Sequence, residues 1–337
     1  MSKPVDPETA PAGTRFLHSL DAERSRLIPG DALDHQPLTR AAGGITLELP
    51  DLRAGDLIVP SFASLTRAPY RFRFRLALDG GTVTLGAVPS RALDGHHLRR
   101  VYGPGEAQLD SALVSRATSG ARLRLEAPAH ALDAPCWISV AVRPARQTLT
   151  STAVTPAIAQ QLPPPPPISQ MLWPDPPGAQ GWGPRICSPT ATTMALQASG
   201  YAVDWQAFVR ASRDRATGLF GVWPLAIYQA SRAGALGTAT CFSSWAEVLP
   251  WLEAGFYIVA SIRYATGALP NAPQPSSGGH LVLLYGVDGD EVLVNDPAAP
   301  DGNSVPRRYA SDAFARAWFA QRGAAYLFLP ARRAGRA

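Results

Sequence analysis

Cys187 is the residue of the chain whose surroundings are best suited to nucleophilic chemistry. Ser188 and Pro189 follow it, and Gly200 comes eleven residues after Pro189. Serine is a favourable N-cap, proline suits the first helical position, and glycine suits the position just past a helix end. The pattern predicts a helix whose positive end lies beside Cys187, and this position favours the nucleophilic thiolate. The alternative interpretation is a small buried residue.

A histidine that could act as the base for this thiol lies on a predicted hairpin strand. His280 is the only histidine after His130, and it opens the apolar run 280–287. A second apolar run ends at Asp296. A carboxylate beside an imidazole can fix the tautomer and orientation of the ring, so we expect Asp296 to orient His280.

The turn of this hairpin decides whether the two residues share a face of the sheet. A two-residue turn at Asp288-Gly289 would pair His280 with Pro297 and place Asp296 on the opposite face. A three-residue turn from Val287 to Gly289 would pair His280 with Asp296 directly. The sequence leaves both registers open, but in each of them the two residues lie at the same end of the hairpin.

The elements that must position these residues differ between the two halves of the chain. After residue 168, helical patterns come first and apolar extended segments follow, which predicts an α+β domain. Before residue 147, short alternating segments such as Tyr70–Leu76 are separated by turn residues, which predicts an antiparallel β-sandwich or jelly-roll-like domain.

A proline-rich segment separates these halves and defines the predicted domain boundaries. Pro163–Pro167 are five consecutive prolines, which favour an extended polyproline II spacer. We therefore predict a flexible N-terminus at 1–30, a β-sandwich accessory domain at 31–146, and a linker at 147–168. An α+β domain at 169–330 and a tail at 331–337 complete the predicted organisation.

The composition argues against several other classes of protein. The formal net charge is +5, but no basic run is interleaved with aromatic residues, so no nucleic-acid partner is expected. Three cysteines cannot form a disulfide framework. The N-terminus lacks the apolar segment of a signal peptide, and no run reaches the roughly 18 apolar residues that span a membrane. We expect a cytoplasmic protein, with a secreted or periplasmic location as the alternative; the oligomeric state is undetermined.

The order of the motifs in the second half resembles a known family. The sequence is similar to the papain-like fold of bacterial cysteine peptidases, and most similar to stand-alone relatives of the double-glycine leader peptidases, the peptidase C39-like family. The resemblance covers roughly Ile168 to Pro330, and it implies that the domain at 169–330 is a papain-like cysteine peptidase domain. The matching pieces are Ser169-Gln170-Met171, Cys187-Ser188-Pro189-Thr190, Gly221-Val222-Trp223-Pro224, Gly279-His280-Leu281-Val282, Val294-Asn295-Asp296-Pro297 and Tyr326-Leu327-Phe328-Leu329-Pro330.

The resemblance implies a role for each candidate residue. Cys187 would be the nucleophile, His280 would take and return its proton, and Asp296 would orient His280. A glutamine side chain and the Cys187 backbone N–H would form the oxyanion hole. Gln170 matches the family's Ser-Gln piece but lies seventeen residues before Cys187, and Gln180, seven residues before, is the alternative.

The expected function is that of a thiol-dependent hydrolase that cleaves a peptide or amide bond through an acyl-enzyme intermediate. The expected partner is a peptide or protein substrate, and the chemistry requires no cofactor and no metal. One alternative is a cell-wall peptide amidase or transpeptidase, since the same three residues support both reactions. Another is a catalytically silent binding or scaffold protein on the same fold.

Overall fold

A computed structural model describes residues 14–19, 38–41, 43–79, 81–89, 99–102, 105–149, 160–175 and 181–331. Within these residues the chain forms three sheets, and every strand pairing in them is antiparallel. Two sheets belong to the first half of the chain, and the third belongs to residues 160–331, which we call the C-terminal region. Helices accompany the third sheet, so the antiparallel sheets and the α+β character expected from the sequence are present.

The β module, residues 14–149, contains two sheets that share one apolar core. One sheet has the strand order β1-β11-β4-β9-β8-β7 and the other β2-β3-β10-β5-β6. Jelly-roll connectivity stays a prediction. The strands are β1 (Thr14–Ser19), β2 (Leu38–Ala41), β3 (Gly44–Glu48), β4 (Asp56–Ser64), β5 (Phe72–Leu78), β6 (Gly81–Val88), β7 (Arg99–Tyr102), β8 (Gly105–Gln108), β9 (Ala112–Val114), β10 (Arg122–Glu126) and β11 (Cys136–Pro144), with a short helix α1 (Ala129–Leu132) before β11.

Strand β5 shows how the sequence pattern builds this core. Its burial alternates along its whole length, with Phe72, Phe74 and Leu76 inside and Arg73 and Arg75 partly exposed. This alternation follows from the two-residue period of a strand whose one face is covered by the second sheet. The opposite face is partly solvated, as expected for an antiparallel sheet.

Strand β1 lies inside the segment 1–30, which the sequence indicates to be flexible. Residues Thr14–Ser19 pair with β11 from Val142 to Trp137. The prediction of a flexible N-terminus is therefore wrong for these six residues. The partner strand lies more than a hundred residues further along the chain, and local sequence carries no signal for so distant a pairing.

The C-terminal region is built around a sheet with the order β13-β18-β14-β15-β16-β17, with β12 added beside β15. Helix α2, which begins at Cys187, packs mainly on β15. The strands are β12 (Gln160–Gln161), β13 (Gly237–Cys241), β14 (Ile258–Tyr264), β15 (Ser277–Asp288), β16 (Glu291–Asn295), β17 (Pro306–Ala310) and β18 (Ala324–Phe328). The helices are α2 (Cys187–Ala198), α3 (Trp205–Ala211), α4 (Trp223–Arg232), α5 (Trp245–Glu253) and α6 (Ser311–Trp318), with 3-10 turns at Gln170–Leu172, Gly183–Arg185 and Gly302–Ser304.

The polyproline segment packs on the C-terminal region instead of standing free. The Tyr257 hydroxyl donates to the Pro163 carbonyl at 2.7 Å, and the Asn295 amide donates to the carbonyls of Pro165 and Pro166 at 3.2 and 3.4 Å. Pro165 is buried. The expectation of a spacer is wrong for this part of 147–168, because side chains far along the chain donate to its carbonyls. Residues 150–159 of the predicted linker lie outside the described residues.

The β module and the C-terminal region also share an apolar core. On β4, Ile58 and Phe62 face the second sheet of the β module, whereas Leu57, Val59 and Ala63 belong to the core of the C-terminal region. Strand β4 is consequently buried on both faces. The two halves of the chain therefore pack as neighbours through a continuous apolar contact.

Polar side chains are buried in the same contact. Ser139 hydrogen-bonds with Ser61 at 2.7 Å and with Thr238 at 2.5 Å. The Arg143 guanidinium donates to the backbone carbonyls of Phe242 and Phe319. Such groups stabilise a packed contact only when they are paired, as these are.

Candidate active site

Helix α2 begins at Cys187 itself. The N-cap residue is Ile186, whose carbonyl accepts from the Thr190 N–H at 3.1 Å. The prediction of Ser188 as N-cap is wrong: Ser188 lies in the first helical turn, and its hydroxyl is 3.3 Å from the Tyr326 hydroxyl. Gly200 follows the C-cap with a φ of +95°, which confirms the predicted end of the helix. Cys187 therefore lies at the positive end of the helix dipole.

His280 and Asp296 lie close together on one face of the sheet. The distance from His280 Nε2 to Asp296 Oδ1 is 2.7 Å, and both side chains are buried. Since Nε2 is bonded to the carboxylate, Nδ1 is the ring nitrogen left for the thiol. Cys187 lies near enough to His280 for the imidazole to lower the pKa of its thiol. The structure thus brings the three residues together.

The register that achieves this differs from both registers considered from the sequence. Asp288 pairs with Glu291, so the turn is Gly289-Asp290. Gly289 has a φ of +58°, which suits a glycine at the first central position of a two-residue turn. This register alone would place His280 and Asp296 on opposite faces.

An irregularity in the hairpin changes the face. The register shifts by one residue between Leu284 and Gly286, so that Leu283 pairs with Asn295. A one-residue shift moves the following side chains to the other face of the sheet. As a result, Asp296 lies diagonally across from His280 on the same face, while the Asn295 amide reaches the polyproline segment on the other side.

Asp296 has a donor for each of its carboxylate oxygens. Oδ1 accepts from His280 and from the Ala298 backbone N–H at 2.9 Å. Oδ2 accepts from the Tyr309 hydroxyl at 2.8 Å. Sequence reasoning missed Tyr309, which lies on β17 in a run with no motif, and only the pairing of β16 with β17 brings it to the site.

The electrostatics of the site favour a charged thiol and a charged imidazole. Burial acts to raise the pKa of the Cys187 thiol, but the hydrogen bond and charge of His280 and the nearby backbone N–H groups outweigh it, so the pKa is lowered. Burial acts to lower the pKa of His280, yet the Asp296 carboxylate and the thiol raise it to about 10. The pKa of Asp296 is lowered in spite of burial, mainly by His280. Both shifts favour a thiolate–imidazolium pair relative to the two isolated side chains.

Gln170 is buried against the turn that leads into Cys187. Its side-chain amide donates to the Gly183 carbonyl at 2.8 Å, and its backbone N–H donates to the Pro297 carbonyl at 2.8 Å. Its Oε1 atom is buried without a hydrogen-bond partner. Gln170 therefore links the segment after Asp296 to the segment before Cys187. Gln180, the alternative oxyanion residue, lies outside the described residues.

Metal-binding clusters and membrane-spanning helices are both absent from the described residues. Among the described ranges, no cluster of three or more His, Cys, Asp or Glu side chains could hold a metal ion. In the same part of the chain, no helix has both the length and the apolar character needed to cross a membrane.

Comparison with known proteins gives a family for the C-terminal region. Residues 165–326 match the model of the Peptidase_C39 like family. No curated protein matches the chain.

Two solved structures align with part of the chain. One is described as a C39-like peptidase from Bacillus anthracis; it shares 16% identity, with 51% of this chain and 97% of that chain covered and a TM-score of 0.39. The other is a double glycine motif protease from an AMS/PCAT transporter in complex with the leader peptide, at 15% identity, with 43% and 84% covered and a TM-score of 0.30. The family match covers just under half of the chain, and over residues 165–326 the chain is similar to the peptidase C39-like family.

Proposed function

We propose that the protein is a cysteine peptidase that cleaves a peptide or amide bond. The observation that carries the proposal is the buried His280–Asp296 pair beside Cys187, a partly exposed residue. The similarity of residues 165–326 to the peptidase C39-like family supports it. We also propose the limits 169–330 for the second domain, since the family match begins at residue 165, near this boundary; the first domain, proposed from the sequence at 31–146, also includes β1 (Thr14–Ser19).

The proposed reaction begins with attack of the Cys187 thiolate on the carbonyl carbon of the substrate. The C=O π electrons move onto oxygen, and the Cys187 backbone N–H and the Gln170 amide donate to that oxyanion. When the intermediate collapses, the C–N bond breaks and the His280 imidazolium gives its proton to the leaving amine. An acyl-enzyme and a neutral imidazole remain.

Hydrolysis of the acyl-enzyme completes the cycle. Neutral His280 takes a proton from water as the water oxygen attacks the thioester carbon. Collapse of the second intermediate releases the carboxylic acid and restores the thiolate beside the imidazolium. Asp296 keeps its negative charge throughout, fixes the ring orientation and stabilises the imidazolium in each half of the cycle.

Alkylation by iodoacetamide tests the assignment of the nucleophile. Cys187 is expected to react much faster than Cys136 and Cys241, which are buried and serve as internal controls. Because the pKa of Cys187 is lowered, its rate should begin to fall at a lower pH than that of an ordinary thiol, whose pKa is about 8.5. His280→Ala should slow the reaction and restore a normal thiol pH profile. Equal and slow labelling of all three cysteines would contradict the proposal.

Separate variants test the oxyanion donor. Gln170→Ala should lower kcat by about 10²–10³-fold, the usual cost of removing one oxyanion donor. Loss of turnover in Gln180→Ala, with Gln170→Ala active, would transfer the role to Gln180. Cleavage profiles on linear peptides and on cell-wall peptides distinguish a peptidase from an amidase or transpeptidase, and absence of turnover on both would support the scaffold alternative.

A further inference from the structure

A cleft lies between the β module and the C-terminal region, away from the three proposed catalytic residues. It has a volume of about 780 Å³, within the ~300–1,000 Å³ typical of ligand sites. Arg71, directly before β5, lines its β-module side. Helix α3, the loop after it, and Tyr228 on α4 line the other side. Residues 165–326, the family match, therefore supply only part of this cleft.

The charge of the cleft is strongly positive. Four arginines line it: Arg71, Arg210, Arg213 and Arg215. All four are exposed, and within the described ranges none of them forms an ion pair with a carboxylate. The lining also includes the buried Asp214, whose carboxylate accepts from the Thr217 backbone N–H and hydroxyl at 2.9 and 2.6 Å. Four guanidinium groups thus face the cleft with one carboxylate among them.

Aromatic rings hold two of these arginines in place. The Arg210 guanidinium lies 5.6 Å from the Trp173 ring centroid, and the Arg213 guanidinium lies 5.8 Å from that of Trp182. A guanidinium stacked on a ring can still donate through its N–H edge to a carboxylate, and Arg210 retains further N–H groups beside the Nη2 group that donates to Gln206 Oε1 at 3.0 Å. Ordering these side chains before binding lowers the entropy lost on binding.

The same rings connect the cleft to the proposed catalytic residues. Trp173 directly follows the 3-10 turn that contains Gln170, and Trp182 directly precedes the turn that leads to Cys187. The two rings stack on each other at 5.8 Å. A ligand bound to Arg210 and Arg213 would consequently lie beside the two tryptophans that adjoin the Gln170 turn and the turn before Cys187.

We propose that this cleft binds an acidic segment of the polypeptide substrate, outside the bond that is cleaved. The inference rests on the proposed function. Positive charge spread over several segments of the chain suits a ligand with several carboxylates, which is the way arginine clusters recognise acidic motifs. The cleft is not suited to stacking nucleic-acid bases, because arginines cover the two tryptophans and Trp173 is buried.

Binding can be measured on the full chain carrying Cys187→Ala, so that no turnover is needed. The probes are fluorescein-labelled peptides of eight alternating Glu and Ser residues or eight alternating Gln and Ser residues. We expect the Glu peptide to bind at least tenfold more tightly, with affinity falling as NaCl increases. The double change Arg71→Gln and Arg215→Gln should weaken that binding about tenfold. Arg116→Gln, an exposed arginine of the β module outside the cleft, is the matched control and should not weaken it.

Three results would overturn the proposal: no preference for the Glu peptide, equal loss in Arg116→Gln, or tighter binding of a single-stranded oligonucleotide of the same charge. In the chain that retains Cys187, the double variant should raise KM for Glu-containing substrates with kcat within twofold. Binding of the Glu peptide by a chain that cleaves nothing would support the proposed acidic-peptide site and refute the peptidase assignment. Cleavage without any preference for acidic peptides would support the peptidase assignment and refute the proposed acidic-peptide site.

Discussion

Replacing Tyr309 by phenylalanine isolates the hydrogen bond that holds the second oxygen of Asp296. The Tyr309 hydroxyl donates to Oδ2 at 2.8 Å, and both side chains are buried. Phenylalanine keeps the ring that stacks on Phe314 at 6.1 Å, so packing should change little. A hydrogen bond to a charged group contributes about 1.5–3 kcal/mol, and its loss leaves a buried carboxylate oxygen without a donor. We therefore expect Tyr309→Phe to lower the free energy of unfolding by about 2 kcal/mol at pH 7.

Urea unfolding of wild type and variant at several pH values measures this effect. Tyr257→Phe is the matched control, because the Tyr257 hydroxyl donates to the neutral carbonyl of Pro163 at 2.7 Å. A neutral hydrogen bond contributes about 0.5–1.5 kcal/mol, so the control should be less affected.

The pH dependence gives the sharper comparison. The folded-state pKa of Asp296 is lowered, so contacts to its charged form stabilise the fold above the unfolded carboxyl pKa of about 3.9. This stabilisation is lost as the pH falls through the lower folded-state pKa. The difference between wild type and Tyr309→Phe should therefore narrow in acid, whereas that for Tyr257→Phe should stay constant. A difference below about 0.5 kcal/mol at pH 7, the lower limit for an ordinary hydrogen bond, or one independent of pH, would refute the reasoning.

Two further substitutions test how the chain is held together. Gly286→Ala would place a Cβ 2.9 Å from the Gln160 carbonyl oxygen, so it should destabilise the protein by about 1–3 kcal/mol. Gly278→Ala is the control and should not destabilise it, because nothing lies within 4 Å of the added Cβ. Thermal unfolding measures both effects. Arg143→Met should lower the unfolding free energy by at least about 2 kcal/mol, because two buried carbonyls of the C-terminal region lose their donor. Arg122→Met, at an exposed position on β10, is the control. An equal effect of both substitutions would contradict the stabilising role of the Arg143 hydrogen bonds.

The sequence predicted the classes of element better than their pairing. The alternation in β5 and the end of helix α2 at Gly200 follow from local rules, and the structure has both. The start of α2 was misplaced because Pro189 can occupy more than one position in a first turn. The pairing of β1 with β11 had no local signal at all.

The sequence predicted correctly that His280 and Asp296 lie close together, but it did not predict the strand register that brings them together. Both proposed registers were wrong, because the shift between Leu284 and Gly286 cannot be read from an apolar run whose residues all suit a strand. Tyr309 was missed for a related reason, since its contact depends on the pairing of one further strand. Local chemistry thus indicated which residues could react, and long-range pairing determined what surrounds them.

The contacts of the polyproline segment, of which Pro165 is buried, have a consequence for the energetics of folding. An irregular segment that packs on a protein surface normally brings backbone N–H groups that must find partners. Pro163–Pro167 bring none, yet their carbonyls accept from Tyr257 and Asn295. Their φ angles are already restricted in the unfolded chain, so ordering them removes less conformational entropy than ordering other residues would. A proline run is therefore well suited to lie along the surface of the C-terminal region, because it leaves no backbone donor without a partner and loses little entropy when it is ordered.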